Sequence, residues 1–261
     1  MASFMLDDIV IDRIQFGFAE SSTGTPLYTL TQLSDATIDI TAETKEAKSA
    51  DGSLIKKFYQ GKAGTFTATN AMINLNVVGA MSGSGKEVAG AGNEIVMPKI
   101  VTVKAGTTIE LKDYVVGSVK VNGLATNGTM STTNYTLGTS ASATEFVISE
   151  DGVLTPPTDE NETQYVVKYN RTVTDGIAIK NKSDKFPSTV RLTLKALCIE
   201  PCSPDVLRAC YIVIPSFQVS PELSLSLNTE GTVEYKGDLQ TDFCSVDKTL
   251  YEIYMCADDE E

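Results

Sequence analysis

An all-β fold with one α-helix and a small sandwich-like insertion is what this sequence predicts. Three observations carry that reading. Strict apolar/polar alternation recurs toward both ends of the chain, as in "TVRLTLKALC". Turn pairs punctuate the middle, at Asn127-Gly128, Asp151-Gly152 and Asp175-Gly176. Helical spacing of apolar residues occurs in one stretch, around residues 71–81. A chain of 261 residues can bury a full core. Residues 117–187, with short strand candidates broken by turns, read as a small sandwich-like insertion.

In "IVIDRIQFGFAE", alternation predicts a strand with Ile14, Phe16 and Phe18 on one face. Pro26 and the small residues Ser21 to Thr25 mark a loop. "ATIDITAE" predicts a second strand, with Ile38 and Ile40 facing one way and Thr37, Asp39 and Thr41 the other. Residues 43–61 change character and crowd in Glu43, Lys45, Glu46, Lys48, Asp51, Lys56 and Lys57, with an Asp51-Gly52 turn at the tip. Two readings fit this run: a solvated hairpin loop, or an arm reaching a neighbouring subunit, its mixed charges setting the register. "AGTFTATN" predicts a strand with Thr65, Thr67 and Thr69 on a polar face and Phe66 and Ala68 inward. Asn70 is the expected N-cap of the helix over 71–81.

Beyond the helix, "IVMPKIVTVKAGTTIEL" suggests one or two strands around Ala105-Gly106. The insertion holds short candidates: "SVKVNG", "TEFVIS" and "TQYVVKYNRTV". "TVRLTLKALC" sets Val190, Leu192, Leu194, Ala196 and Cys198 against Arg191, Thr193 and Lys195. "PELSLSLN" sets Leu223, Leu225 and Leu227 against Ser224, Ser226 and Asn228. "LYEIYM" sets Tyr251, Ile253 and Met255 against Glu252 and Tyr254. Such patterns belong to antiparallel strands with one wetted face.

Composition excludes several functions. The net charge of −13 argues against gripping nucleic acid through its phosphates. With no histidine, the Ser-His-Asp and Cys-His nucleophiles and the two-histidine zinc sites are absent. Carboxylate-only chemistry such as glycoside cleavage survives the filter, but 34 acidic residues bring some pair close by chance, so pairing in sequence decides nothing. No catalytic residue, cofactor or metal is expected. The five cysteines, Cys198, Cys202, Cys210, Cys244 and Cys256, read as reduced thiols. Asp159, Glu160 and Glu162 lack the glycine-turned spacing of a calcium loop. Neither a secretory leader nor a membrane span is read from the sequence.

"GAMSGSGK", Gly79 to Lys86, superficially looks like a phosphate-binding loop. That motif needs strand, glycine loop, then helix, with four residues between its outer glycines and a Ser or Thr after the lysine. Here the helical pattern comes first, Gly79 and Gly85 enclose five residues, and Glu87 follows Lys86. Gly83 and Gly85 are better read as helix-stopping positions able to take positive φ. The run Ser82–Asn93 then becomes a flexible connection.

The order of strand, strand, charged loop, Thr-rich strand, helix, insertion and C-terminal strands resembles the major tail tube proteins of tailed bacteriophages. The resemblance rests on "DATIDITAETKEAKSADGSLIKKFYQGKAGTFTATNAMINL" and "VIPSFQVSPELSLSLNTEGTVEYKGDLQTDFCSVDKTLYEIY", covering about residues 5–95 and 188–256. It implies a virion structural protein rather than an enzyme, folded as a β-sandwich or half-open barrel with one flanking α-helix, in which 1–99 and 188–261 complete one β unit and 100–187 is inserted between them. Such subunits form six-fold rings that share an inner β-barrel and stack into a tube for DNA ejection. It also implies a tail location, with host cytoplasm during assembly. Implied partners are further copies, other tail proteins (sheath, baseplate, terminator) and double-stranded DNA passing without specific binding; no membrane is involved. Residues 43–61 then become an inter-ring arm, and 100–187 an outward decoration. Six copies at −13 each give −78 per ring. Candidate lumen faces are Thr37/Asp39/Thr41, Thr65/Thr67/Thr69 and Ser224/Ser226/Asn228, all without cations. The rival readings are a capsid decoration or fibre protein, and a carbohydrate-binding adhesin using Tyr135, Tyr165 and Tyr169.

Overall fold

The computed structural model describes residues 8–260 except 71, 126, 202, 228–230 and 242–246, and only the backbone at 203–205 and 257–260. In chain order the elements are β1 (Val10–Glu20), β2 (Pro26–Thr31), β3 (Leu33–Lys48), β4 (Leu54–Asn70), α1 (Leu75–Met81), β5 (Lys86–Val88), β6 (Ile95–Lys104), β7 (Ile109–Glu110), β8 (Lys120–Leu124) and β9 (Met130–Leu137). There follow β10 (Glu145–Ile148), β11 (Val153–Thr155), β12 (Gln164–Val173), β13 (Ile177–Ile179), β14 (Thr189–Glu200), β15 (Ser203–Val219), β16 (Val233–Leu239) and β17 (Glu252–Glu260). The fold is all-β with one short helix among the described residues.

Two compact units divide the chain: Met1–Lys86 with Ile179–Glu261, and Glu87–Ala178. The inserted unit therefore starts and ends earlier than the 100–187 read from sequence. The reason is β6, whose whole length pairs with β12, from Ile95 opposite Val173 to Lys104 opposite Gln164. β5 and β13 form a separate two-stranded ribbon.

In the first unit the strands run β2-β1-β14-β15-β16-β4-β3, and β17 also pairs with β15. One edge of β15 is shared: Phe217–Val219 pairs with β16, and Arg208–Val213 with β17. The sheet curls, so that β1 and β3, distant in strand order, face each other across a cleft. This makes a barrel open along one seam. Leu192, Leu194, Phe66, Phe217, Ile214 and Tyr235 fill its interior, and α1 adds Val77, Val78 and Met81. Phe66 meets Phe217 and Tyr235 edge-on, with ring centroids 5.9 and 6.3 Å apart; such pairs add about 1 kcal/mol each beyond area burial.

Alternation in β14 reads true, with Val190, Leu192, Leu194, Ala196 and Cys198 inside. In β1 it does not. Register shifts between Ile11 and Arg13 and between Ile14 and Phe16 change the parity of the strand, so Gly17 and Ala19 face the core and Phe16 is exposed. A bulge of one residue swaps the faces of everything after it. Ile38 packs inward as expected, whereas Ile40 is partly exposed. "PELSLSLN" is not a strand among the described residues; it makes a single bridge, Leu225 to Val233, and leaves Leu227 exposed. In β17, Met255 packs against the core while Ile253 is exposed.

The helix begins at Leu75, with Asn74 as its N-cap: the Asn74 side chain accepts from the Asn76 N–H at 2.8 Å. Asn70, the cap expected from sequence, closes β4, and its Oδ1 accepts from the Met72 N–H at 3.1 Å. Both residues use the same Asx chemistry, four positions apart, and the backbone chooses the later one.

The second unit is a seven-stranded sheet, β6-β12-β8-β9-β10-β11-β7. Its core holds Val103, Leu111, Val121, Phe146, Leu154 and Val167. Its edge strand β6 carries Pro98, which removes one N–H and blunts that edge.

Candidate assembly surfaces

The charged run 43–61 is not a loop. β3 and β4 continue as a paired ribbon nearly to the tip, with Thr44 opposite Tyr59, Lys45 opposite Phe58 and Glu46 opposite Lys57. Beyond Gly64, β4 has no pairing to β16, so among the described residues this part of the hairpin continues as two paired strands alone. Every residue from Thr41 to Ala63 is exposed except half-buried Ala47. At the tip the Ser49 N–H donates to the Ser53 carbonyl at 2.8 Å, and Gly52 takes φ +87. The Asp51 carboxylate accepts from the Ser53 N–H at 3.1 Å, which holds its pKa below the usual carboxylate range.

The ribbon thus brings together Glu43, Lys45, Glu46, Lys48, Asp51, Lys56 and Lys57, all seven of the candidate arm residues. Sequence reasoning passed over their apolar companions Leu54, Ile55, Phe58 and Tyr59, all exposed. The signal was present in "LIKKFYQ": large apolar residues in a charged run, with no matching apolar face on "ETKEAK".

A second surface is polar. On the outer face of β3 and β4, Thr37 lies opposite Thr67 and Asp39 opposite Thr65, with the two hydroxyls of Thr37 and Thr67 2.7 Å apart. Thr41 continues this face and Thr69 lies beside Ser34. β16 extends it, setting Asp238, Lys236 and Glu234 opposite Thr65, Thr67 and Thr69. The face is therefore not free of cations, because strand pairing imports Lys236, which sequence distance had hidden. Lys236 is held by Glu222 at 2.9 Å, and the bond raises the lysine pKa and lowers that of the carboxylate. Ser224 and Ser226 lie in the irregular segment before β16 rather than on a strand of this face, and Asn228 falls outside the described residues.

Tyrosine hydroxyls knit the interiors of both units. Tyr28 and Tyr235 share a 2.6 Å hydrogen bond, and burial pushes Tyr28 up to about 12. In the second unit Tyr135 donates to Asp159 at 2.8 Å and packs edge-on against Tyr165, with centroids 5.5 Å apart. Tyr135, Tyr165 and Tyr169 are all buried, so they offer no platform for a sugar ring. Asp159 thus serves this packing, and its carboxylate also accepts from the Asn161 N–H at 3.0 Å.

Around "GAMSGSGK" a pocket of about 330 Å³ is lined by Gly79, Gly83, Gly85 and Lys86. Its groups are already engaged with one another. The Gly85 N–H donates to the Gly79 carbonyl at 3.2 Å, and Lys86 Nζ donates to Asn76 Oδ1 at 2.8 Å. Gly83 presses on the Phe186 backbone. Ser82 and Ala89 are buried and an exposed strand, β5, lies between them, so the run has a defined turn and strand rather than an open linker. Cys198 and Cys210 are buried free thiols, whose pKa values burial raises, and Cys256 is exposed; Cys202 and Cys244 fall outside the described residues.

The open seam between β1 and β3 holds a cleft of about 590 Å³. Ile14, Leu33, Ile38, Phe66, Leu194 and Ile212 contribute its apolar walls, and Asp12, Arg13 and Asp35 charge its rim. Asp35 sits at a register shift of β3 with φ +49, and Gln32 before it at φ +59. Non-glycine residues seldom adopt positive φ.

Residues 8–249 match the YomU/Tube protein family. No curated protein matches the chain.

Proposed function

The chain belongs to the YomU/Tube protein family, which makes it a tube-type phage structural protein, and on that premise we propose that it builds a tail tube from stacked six-fold rings. The tube is an acidic conduit through which DNA leaves the virion. The subunit works by assembly rather than by catalysis, needs no cofactor, and meets other tail proteins at the tube's ends and outer surface. The unit 87–178 is an outward decoration.

The observation that carries this reading is the two-stranded ribbon beyond Gly64. A lone hairpin in water is marginally stable, and this one exposes Leu54, Ile55, Phe58 and Tyr59. A neighbouring copy that covers it removes that surface from water. Further support comes from the sheet edges. Among the described residues the whole outer edge of β3 is unpaired, and it carries no proline, whereas β6 has Pro98. An unblunted edge is suited to pairing with another subunit. The Thr37/Asp39/Thr65/Thr67 face suits a lumen, since it binds few counterion-bearing phosphates.

Negative-stain microscopy of the purified chain is expected to show rings or hollow tubes. A monomer or trimer that never polymerises at any concentration contradicts the reading. Deleting Lys45–Lys57 is expected to abolish stacking while the circular dichroism spectrum stays that of a folded β protein; tubes that persist remove the arm from the assembly.

A further inference from the structure

We infer that the hairpin tip of one copy seats in the β1–β3 cleft of a second copy, displaced along the strand direction. This names the receiving surface for the arm and rests on the assembly reading above.

The tip supplies an apolar knob. Leu54, Ile55, Phe58 and Tyr59 are 55%, 67%, 53% and 73% exposed. Ile55 is the extra residue at a register shift between Ala47 and Lys48, so no residue of β3 pairs with it. Bulges of this kind re-aim a side chain away from the ladder. The cleft supplies a matching hole. Its 590 Å³ lies within the range of about 300–1,000 Å³ typical of pockets that enclose a ligand, and its walls are aliphatic and aromatic.

Charge agrees with shape. The tip carries four lysines (45, 48, 56 and 57) against Glu43, Glu46 and Asp51, a net +1 in a chain of −13. The cleft rim carries Asp12, Asp35 and Arg13, a net −1, and Arg13 is already paired to Asp12 at 2.9 Å. Asp35 is left facing an arriving lysine.

A tip cannot enter its own cleft. Ala36 lines the cleft and Lys48 is at the end of the same strand, twelve residues on, or roughly 40 Å at about 3.3 Å per residue. The contact is therefore between copies, and it joins two different surfaces. Each copy offers one knob and one hole, and because each contact displaces the next copy along the strand direction, the contact repeats without closing. The expected axial repeat of the stack is at most about 40 Å, less if the strands tilt.

The test uses full-length protein with Cys202, Cys244 and Cys256 replaced by serine. Ile55→Cys and Arg13→Cys are combined, the protein is assembled, and a short bismaleimide is added. The expected product is a ladder on a denaturing gel running past six copies, absent from either single-cysteine variant. Phe58→Asp and the cleft-filling Ala36→Phe should each lower the sedimentable fraction at least tenfold. Phe58 is exposed, so the tip variant keeps the wild-type melting temperature even if Ala36→Phe disturbs the body. Normal tubes with no ladder overturn this contact and leave the assembly reading intact. A ladder that stops at dimer or at six also overturns it, placing the tip within a closed pair or a single ring. Wild-type protein that never assembles overturns both.

Discussion

Replacing Gly83 with alanine is a sharp test of how "GAMSGSGK" is built, because the same sequence supplies its own control. Gly83 and Gly85 both sit at positive φ, +64 and +71. A Cβ at either position meets the left-handed penalty of about 1–2 kcal/mol. At Gly85 nothing lies within 4 Å of the added carbon, so that penalty is the whole cost. At Gly83 the carbon would fall inside the van der Waals contact of the Phe186 backbone nitrogen, carbon and oxygen, none of which can swing away as a flexible side chain would. Overpacking of this kind adds about 1–3 kcal/mol. Gly85→Ala should therefore cost about 1–2 kcal/mol and Gly83→Ala about 2–5 kcal/mol. At about 2–4 °C per kcal/mol, the drops in melting temperature are about 2–8 °C and about 4–20 °C. Differential scanning calorimetry of both variants reads the difference directly. Equal shifts would mean that Gly83 does not press on Phe186 and that the segment is the loose connection its glycines suggest.

Tyr235→Phe leaves the Tyr28 hydroxyl without its 2.6 Å partner and should cost about 1 kcal/mol in urea unfolding; no loss would mean that water replaces the bond. Tyr28 keeps its proton up to about 12 in the folded protein against 10 ordinarily, so folding is favoured fully below pH 10 and progressively less as pH rises from 10 through 12. Tyr28→Phe should flatten that decline in the alkaline unfolding curve, and an unchanged curve would assign it to other groups. Thr37→Lys with Thr65→Lys adds two cations per subunit to the polar face. Assembled protein should then retain duplex DNA in a salt-dependent way that the wild type does not, and equal retention by both would place this face away from the DNA.

The sequence made some of this fold legible and hid other parts for physical reasons. β14 could be read because five alternate inward positions, Val190 to Cys198, are apolar, and the register shift between Val190 and Leu192 places its extra residue on β15, leaving the alternation of β14 intact. β1 could not, because two register shifts decide which of Phe16 and Gly17 faces inward, and a bulge leaves no mark in a two-residue period. The ribbon strands were hidden differently. "ETKEAK" has no apolar face to bury, so nothing in its pattern separates a solvated loop from a strand held by backbone bonds alone. "PELSLSLN" errs the other way, offering perfect alternation without a partner strand. Periodicity reports a face that needs burying; whether a neighbour exists to bury it is a matter of topology.

That distinction also bears on function. Among the described residues, the places where pattern and structure disagree most are the ribbon and the entry to β3, where Gln32 and Asp35 take positive φ beside the cleft. A subunit of the proposed assembly cannot satisfy every apolar side chain internally. Among the exposed apolar residues are Leu54, Ile55, Phe58 and Tyr59 at one end of β3–β4 and Ile11 beside the cleft at the other, whose burial another copy would complete in the proposed contact. If the arm and the cleft are complementary, improving one without the other should not help: Tyr59→Phe at the tip should strengthen assembly in the wild-type background and fail to do so when Ala36→Phe fills the hole. Turbidity at matched concentrations measures both. Equal gains in the two backgrounds would show that the tip finds its apolar partner elsewhere.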